Sequence, residues 1–203
     1  MAMTSEPIRF TDGAGYDRFM GVWSRLAGKE FLDWIAPNEG QRWLDVGCGN
    51  GAFTQLIADQ HKPLALVGID PSEAQLAYAW DMEGGGFPYQ LVNEALAAIG
   101  RPTPKPPSPE ASRLEVLSDL WATAGLSDIH TRVITVERTY TNFDDLWNTV
   151  LGGPSAGQAL AAMSEEELTR FRELLQARLQ PSGSGSISLT GRAHAIRGTV
   201  PSL

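Results

Sequence analysis

RWLDVGCGNGAFTQLIADQHKPLALVGID, residues 42–70, decides the fold. RWLDVG (42–47) is a short strand candidate, and Gly47, Gly49 and Gly51 follow it at once. AFTQLIADQ (52–60) has helical spacing and is closed by His61, Lys62 and Pro63. LALVGID (64–70) is a second apolar run, about one strand long. Strand, glycine loop, helix and strand make a βαβ unit with a parallel pair.

The loop also carries chemistry. Glycines between a strand and a helix let the backbone approach a ligand closely, and helix N-terminal amides favour ligand oxygens. Asp70, at the end of the second strand, can accept both hydroxyls of a ribose. A tight turn and a helix cap would use the same residues. Several independent features agree on a cofactor loop, however: a strand before, a helix after and an acid at the next strand's end. Gly47, Gly49 and Ala52 also satisfy G-x-G-x-x-A, so the pattern alone leaves a nicotinamide dinucleotide open.

Working outward, Phe19, Met20, Trp23, Leu26, Ala27 and Leu32 recur at helical spacing and predict an N-terminal helix or helix pair ending before Pro37. RPTPKPPSP (101–109) reads as an exposed connector. Ser108, Pro109 and Glu110 open a helix with Leu114, Leu117, Leu120 and Trp121 on one face and Gly125 as its cap. HTRVITVERTY (130–140) alternates like a strand. Ser164 and Glu167 form a capping box before Leu168, Phe171, Leu174, Leu175 and Leu179. PSGSG makes a turn into a last strand, SISLTGRAHAI (186–196). These last elements suit the antiparallel edge of a mixed sheet.

Composition narrows the partners. The chain has 203 residues, enough for one domain with a sizeable core, and its 42% hydrophobic and 20% charged residues are those of a soluble globular protein. A net charge of -8, with pI near 4.9, argues against a nucleic-acid or anionic-membrane binder. MAMTSEPIRF lacks the pattern of a secretory signal, and LALVGI is far too short for a membrane span. Cys48 is the only cysteine, which excludes an internal disulfide or a cysteine metal cluster. No metal-binding constellation is evident. A cytoplasmic location is the expectation.

WLDVGCGNGAFTQLIA followed by VGIDPSEAQLAYA resembles the first two motifs of class I S-adenosylmethionine-dependent methyltransferases. YDRFMGVWSRLAGKEFLDWI is similar to the N-terminal helical segment of the family's small-molecule members. The resemblance implies an α/β, Rossmann-like fold with a helical cap (1–40), a cofactor-binding βαβ unit (41–79) and a C-terminal half (80–203) in one domain. It implies S-adenosylmethionine as cofactor and a small-molecule methyl acceptor. Asp45 would orient the methionine amino group, directly or through water. Gly47, Cys48, Gly49 and Gly51 would line the methionine and ribose. Asp70 would hold the ribose hydroxyls, with Pro71 and Ser72 beside the adenine. Tyr16, Phe19 and Trp23 would help close the site. In the family, an acid placed like Asp45 favours this cofactor over a dinucleotide.

GIDPSEAQLAYAWDMEGGG (68–86) departs from the family pattern. AQLAYA looks like the helix after strand two, and AYAWDMEGGG like the end of strand five. The letters AYA serve both, and the family's R-P-G-G turn is missing. Two βα units are absent, about 50–60 residues at about 30 per unit. A parallel crossover needs about 10–12 residues or more, and too little chain separates Asp70 from a strand beginning near Ala77. The junction at Ala79–Trp80 thus predicts missing central strands and exposed apolar faces. A homodimer and a weakened or non-catalytic cofactor site are then both expectations. His61, His130 and His194 are the candidate general bases, but none has a partner acid at catalytic spacing. Trp80 could line an acceptor pocket, though a tryptophan after an apolar run also suits the core.

Overall fold

The computed structural model describes residues 17–49, 51–69, 86–103, 109–179 and 182–201. Tyr16, Asp70, Pro71, Ser72 and the whole AYAWDM segment lie outside the described residues.

A π-helical turn over Asp17–Gly21 leads into α1, Val22–Ile35. The helix ends where Ala36 turns left-handed (φ 43°) and its N–H returns to the Leu32 carbonyl, just ahead of Pro37. β1 (Arg42–Val46), α2 (Ala52–His61) and β2 (Ala65–Ile69) follow as the spacing requires. The two strands pair in parallel, Leu44 opposite Val67 and Val46 opposite Ile69. α1 packs on α2 at Gly28, where a Cβ would lie 2.6 Å from the Phe53 ring, with Leu32 and Ile57 fully buried.

The C-terminal half begins with α3, Gln90–Ala98, which sequence spacing had not suggested. It buries Val92, Ala95 and Leu96. A short 3-10 turn, Pro109–Ser112, precedes α4, Leu114–Thr123. Gly125 caps α4 with φ +83°, and the Leu126 N–H reaches the Trp121 carbonyl. One expectation for α4 fails: Leu120 is 53% exposed while Leu114, Leu117 and Trp121 are half-buried. A shallow contact against the ribbon below uses a narrower stripe than the spacing of the leucines suggested.

β3 (Ser127–Tyr140) and β4 (Ile187–Thr199) form an antiparallel ribbon. Among the described residues this ribbon is a separate two-stranded sheet, not the edge of a sheet shared with β1 and β2. No described strand lies between them, and the segment 70–85 on which the expectation of missing central strands rests lies outside the described residues. Between β3 and β4 run α5 (Phe143–Leu151), α6 (Pro154–Ala161) and α7 (Glu165–Arg178). α5 starts at Asn142, whose side chain accepts the Asp145 N–H at 3.0 Å. α7 starts with the reciprocal capping box: Glu167 N–H to the Ser164 hydroxyl at 3.2 Å, Ser164 N–H to the Glu167 carboxylate at 2.8 Å. That backbone hydrogen bond, and after it the Arg101 guanidinium, hold the Glu167 carboxyl below its ordinary pKa.

The main core joins the first helix to the C-terminal half. Phe19, Met20 and Trp23 pack with Tyr89, Leu96, Ile134, Tyr140, Leu146, Leu160, Phe171 and Ile187. Two glycines permit close approach here. A Cβ on Gly153 would meet the Phe19 ring at 2.7 Å, and one on Gly157 would meet the Leu151 carbonyl oxygen at 2.3 Å. The second obstacle is backbone, which cannot swing aside. Gly157→Ala should therefore cost about 1–3 kcal/mol, read as a shift in urea midpoint. An unchanged midpoint would mean that α5 and α6 do not meet this closely.

Candidate functional site

The glycine loop is built as a backbone cradle. Gly47 (φ +83°), Gly49 (φ +52°) and Gly51 (φ +81°) all adopt the left-handed region that side chains disfavour. The N–H groups of Gly47 and Cys48 donate to the Ile69 carbonyl at 2.7 and 3.3 Å, tying the loop to the end of β2. Gly51 N–H closes the turn on the Cys48 carbonyl at 2.8 Å. Its own carbonyl accepts the Gln55 N–H at 2.8 Å, the first bond of α2. At both Gly47 and Gly51, chain neighbours aside, an added Cβ would have no described atom within 4 Å. The loop thus presents open backbone, as a ligand that must approach the chain closely requires.

Two side chains fix the cradle. The half-buried Asp45 carboxylate accepts the Thr54 hydroxyl at 2.6 Å, bracing the end of β1 against the first turn of α2. Cys48 lies against Gly68: a Cβ there would be 2.9 Å from its sulfur. Cys48 therefore fills space between loop and β2, and Gly68 is the residue that makes room for it.

Beside the loop opens a cleft of about 540 Å³, lined by Asp17, Arg25, Gly51, Ala52, Thr54, Gln55, Ala58 and Leu66. Arg25 grips Asp17 in a bidentate pair at 2.8 and 3.0 Å. That hydrogen bond raises the guanidinium pKa further, against a smaller opposing effect of burial. Sequence reading missed Arg25. The two residues lie eight apart, across a π-helical turn that breaks the regular helical register.

Phe19 and Trp23 are 2% and 0% exposed and face the core, not this cleft as described. Their partner is Tyr89, stacked on Phe19 at 4.1 Å between centroids and edge-on to Trp23 at 6.2 Å. The Tyr89 hydroxyl donates to the Phe19 carbonyl at 2.9 Å and accepts from Trp23 Nε1 at 3.0 Å. It has one proton, already used, so in its 2.8 Å contact with Tyr140 the Tyr140 hydroxyl is the donor. Arg138 stands over the Tyr140 ring at 4.5 Å and donates to the Arg18 carbonyl. Burial pushes both phenols above their ordinary pKa, so neither is a proton acceptor near neutrality.

The histidines are placed elsewhere. His61 ends α2, its ring 6.5 Å from that of Trp43. His130 does have an acid beside it, Asp128 at 2.8 Å, contrary to the expectation from spacing, and His194 contacts the Ser112 carbonyl at 2.6 Å. None is among the described residues of the cleft. A second hollow, about 440 Å³, lies by α5 and α7, where Arg172 pairs with Asp144. Among the described residues no group of His, Cys, Asp and Glu could hold a metal ion, and no helix is long and apolar enough to cross a membrane.

Comparison with known proteins places the chain in a family. The family profile described as a methyltransferase domain matches residues 16–146. Trans-aconitate 2-methyltransferase of Acidovorax sp. (strain JS42) is 40% identical over 68 residues, which cover 34% of this chain and 26% of the relative. Putative methyltransferase 235L of Invertebrate iridescent virus 6 is 35% identical over 54 residues, covering 27% of this chain and 20% of that one. The match thus spans about a quarter or less of these relatives' length. A solved structure, Haemonchus contortus phospholethanolamine N-methyltransferase 2 in complex with phosphomonomethylethanolamine and S-adenosylhomocysteine, aligns over 98% of this chain and 61% of its own. Its TM-score is 0.38 at 14% identity, a likeness too distant to place individual residues. With the profile covering well over half of the sequence and a strand–glycine loop–helix–strand unit at its centre, the chain belongs to the methyltransferase domain family, as a member of the class I, S-adenosylmethionine-dependent type.

Proposed function

We propose that the chain binds S-adenosylmethionine beside the glycine loop and transfers its methyl group to a small-molecule acceptor. The observation that carries this reading is the open backbone of Gly47 and Gly51 at the C-terminal end of a parallel pair, with the Asp45 carboxylate behind it. When bound, the cofactor supplies an electrophilic methyl on a sulfonium, so transfer is an in-line displacement.

The chain's own residues position and shield. Gly47, Cys48, Gly49 and Gly51 let the methionine and ribose lie against the backbone. Asp45, with one oxygen on Thr54, has acceptor capacity left for the amino group. By the family resemblance, Asp70 would take the ribose hydroxyls, Pro71 and Ser72 would lie beside the adenine, and Tyr16 would help close the site. Phe19 and Trp23 serve that closure from within the core, by holding the first helix in place. Arg25 is a cation in the cleft lining, and exchange of Asp17 for the cofactor carboxylate would conserve its charge balance. A general base is required only if the acceptor must lose a proton.

A second reading, a domain that binds the cofactor without turning it over, rests on the departure of residues 68–86 from the family pattern, from which missing central strands are the expectation. Rate is more fragile than affinity: a misplacement of about 1 Å can cost ~100-fold. Calorimetry with S-adenosylhomocysteine tests binding, and label transfer from the methyl donor tests turnover. Asp70→Ala should weaken binding about 10–100-fold, from the loss of a charge-assisted hydrogen bond of about 1.5–3 kcal/mol. Tighter binding of NAD, or no change on Asp70→Ala, would overturn the cofactor assignment. Binding without turnover would select the second reading.

A further inference from the structure

A parallel sheet is normally covered on both faces, because crossover helices lie above and below it. Here α2 covers one face of the β1–β2 pair, with Thr54 against Asp45 and Gly68, and the loop residue Cys48 fills in beside it. On the other face the aliphatic side chains are exposed. Leu44 is 60% exposed, Val46 68%, Val67 53% and Ile69 46%. Their register, Leu44 beside Val67 and Val46 beside Ile69, makes them one contiguous aliphatic block.

We propose that this face is an isologous interface through which two copies of the chain associate. The four side chains offer on the order of 400 Å², the size of the largest apolar patch on a typical monomer. Two such faces with their margins at Arg42 and Ala65 remove about 1,000 Å² from water, the lower bound for a specific interface. Sheet-on-sheet packing about 10 Å apart fits flat aliphatic blocks of this kind. The block itself carries no charge, so a second copy of it buries no ion at the contact, and the net charge of -8 on each copy makes the association stronger at higher salt. A two-fold axis through the block closes the assembly, because the same surface is used on both sides.

Sedimentation velocity of the full chain from about 1 to 100 μM tests this. The expected result is a monomer–dimer equilibrium, with dissociation on dilution. Val46→Glu should raise the dissociation constant at least about 10-fold, the cost of burying an unpaired carboxylate. Val200→Glu, at a site 77% exposed and outside this face, should leave it unchanged. Should Val46→Glu fail to fold by circular dichroism, Val67→Lys on the neighbouring strand reads the same contact. A monomer at every concentration, open-ended aggregation in place of a dimer, or equal effects of the substitutions at Val46 and Val200 would overturn the proposal.

Discussion

Trp23→Ala is expected to destabilise the fold by about 3–5 kcal/mol, the range for truncating a fully buried aromatic. Trp23 has no exposed surface and is held from two directions. Its ring meets Tyr89 edge-on, and its Nε1 donates to the Tyr89 hydroxyl. Truncation opens a cavity at the point where the first helix joins the C-terminal core. Tyr89 keeps the Phe19 carbonyl and the Tyr140 hydroxyl, so the polar loss is smaller than the packing loss. Since small domains are stable by only about 5–15 kcal/mol, the variant should show a much lower urea midpoint. Trp23→Phe keeps most of the volume and should cost about 1–2 kcal/mol, mainly for the lost donor. If Trp23→Ala cost less than about 1 kcal/mol, the first helix would not be anchored as described.

Gly51→Val should abolish detectable S-adenosylhomocysteine binding, a loss of more than about 100-fold, or ~2.7 kcal/mol. Two effects add. A β-branched residue at φ +81° is strained by about 1–2 kcal/mol, so the loop shifts away from its ligand-ready shape. Its side chain also enters the space over the loop, where, chain neighbours aside, no described atom lies within 4 Å of an added Cβ. The stability cost beyond that strain should be modest, because no described side chain occupies that space. Calorimetry beside a urea titration separates the two effects. Intact binding by Gly51→Val would remove the loop from the cofactor site.

The cofactor half was legible because its signals are local and redundant. Strand, glycine loop, helix and strand fall within 42–70, and each boundary carries its own marker: Gly51, Lys62 and the apolar runs themselves. The capping box at Ser164 was legible for the same reason. α3 and α5 were not recognised, although each had a signal. Asn142 ahead of Asp144 and Asp145 is an N-terminal cap, and Phe143, Leu146, Trp147 and Val150 share one face. Both helices have nine residues, too few for periodicity to stand out from neighbouring apolar runs. The Asp17–Arg25 pair was hidden by the irregular turn between its members. Leu120 shows the opposite error: spacing counts a residue as inward when tertiary packing leaves it outside.

The Tyr89 hydroxyl joins residues that the ribosome delivers far apart. Tyr89 emerges 70 residues after the carbonyl of Phe19, Tyr140 another 51 residues later, and Ile187 of the same core later still. At about 5–20 residues per second, the apolar face of the first helix waits roughly 10–30 s for its burial partners. The β1–β2 unit closes over a short loop in that interval, but it offers Trp23 no cover. Synthesis therefore leaves a nascent amphipathic helix exposed to holdase chaperones until the last strand arrives. Slower translation of the C-terminal half should lengthen that exposure and lower the yield of folded protein, without any change in the stability of the finished chain.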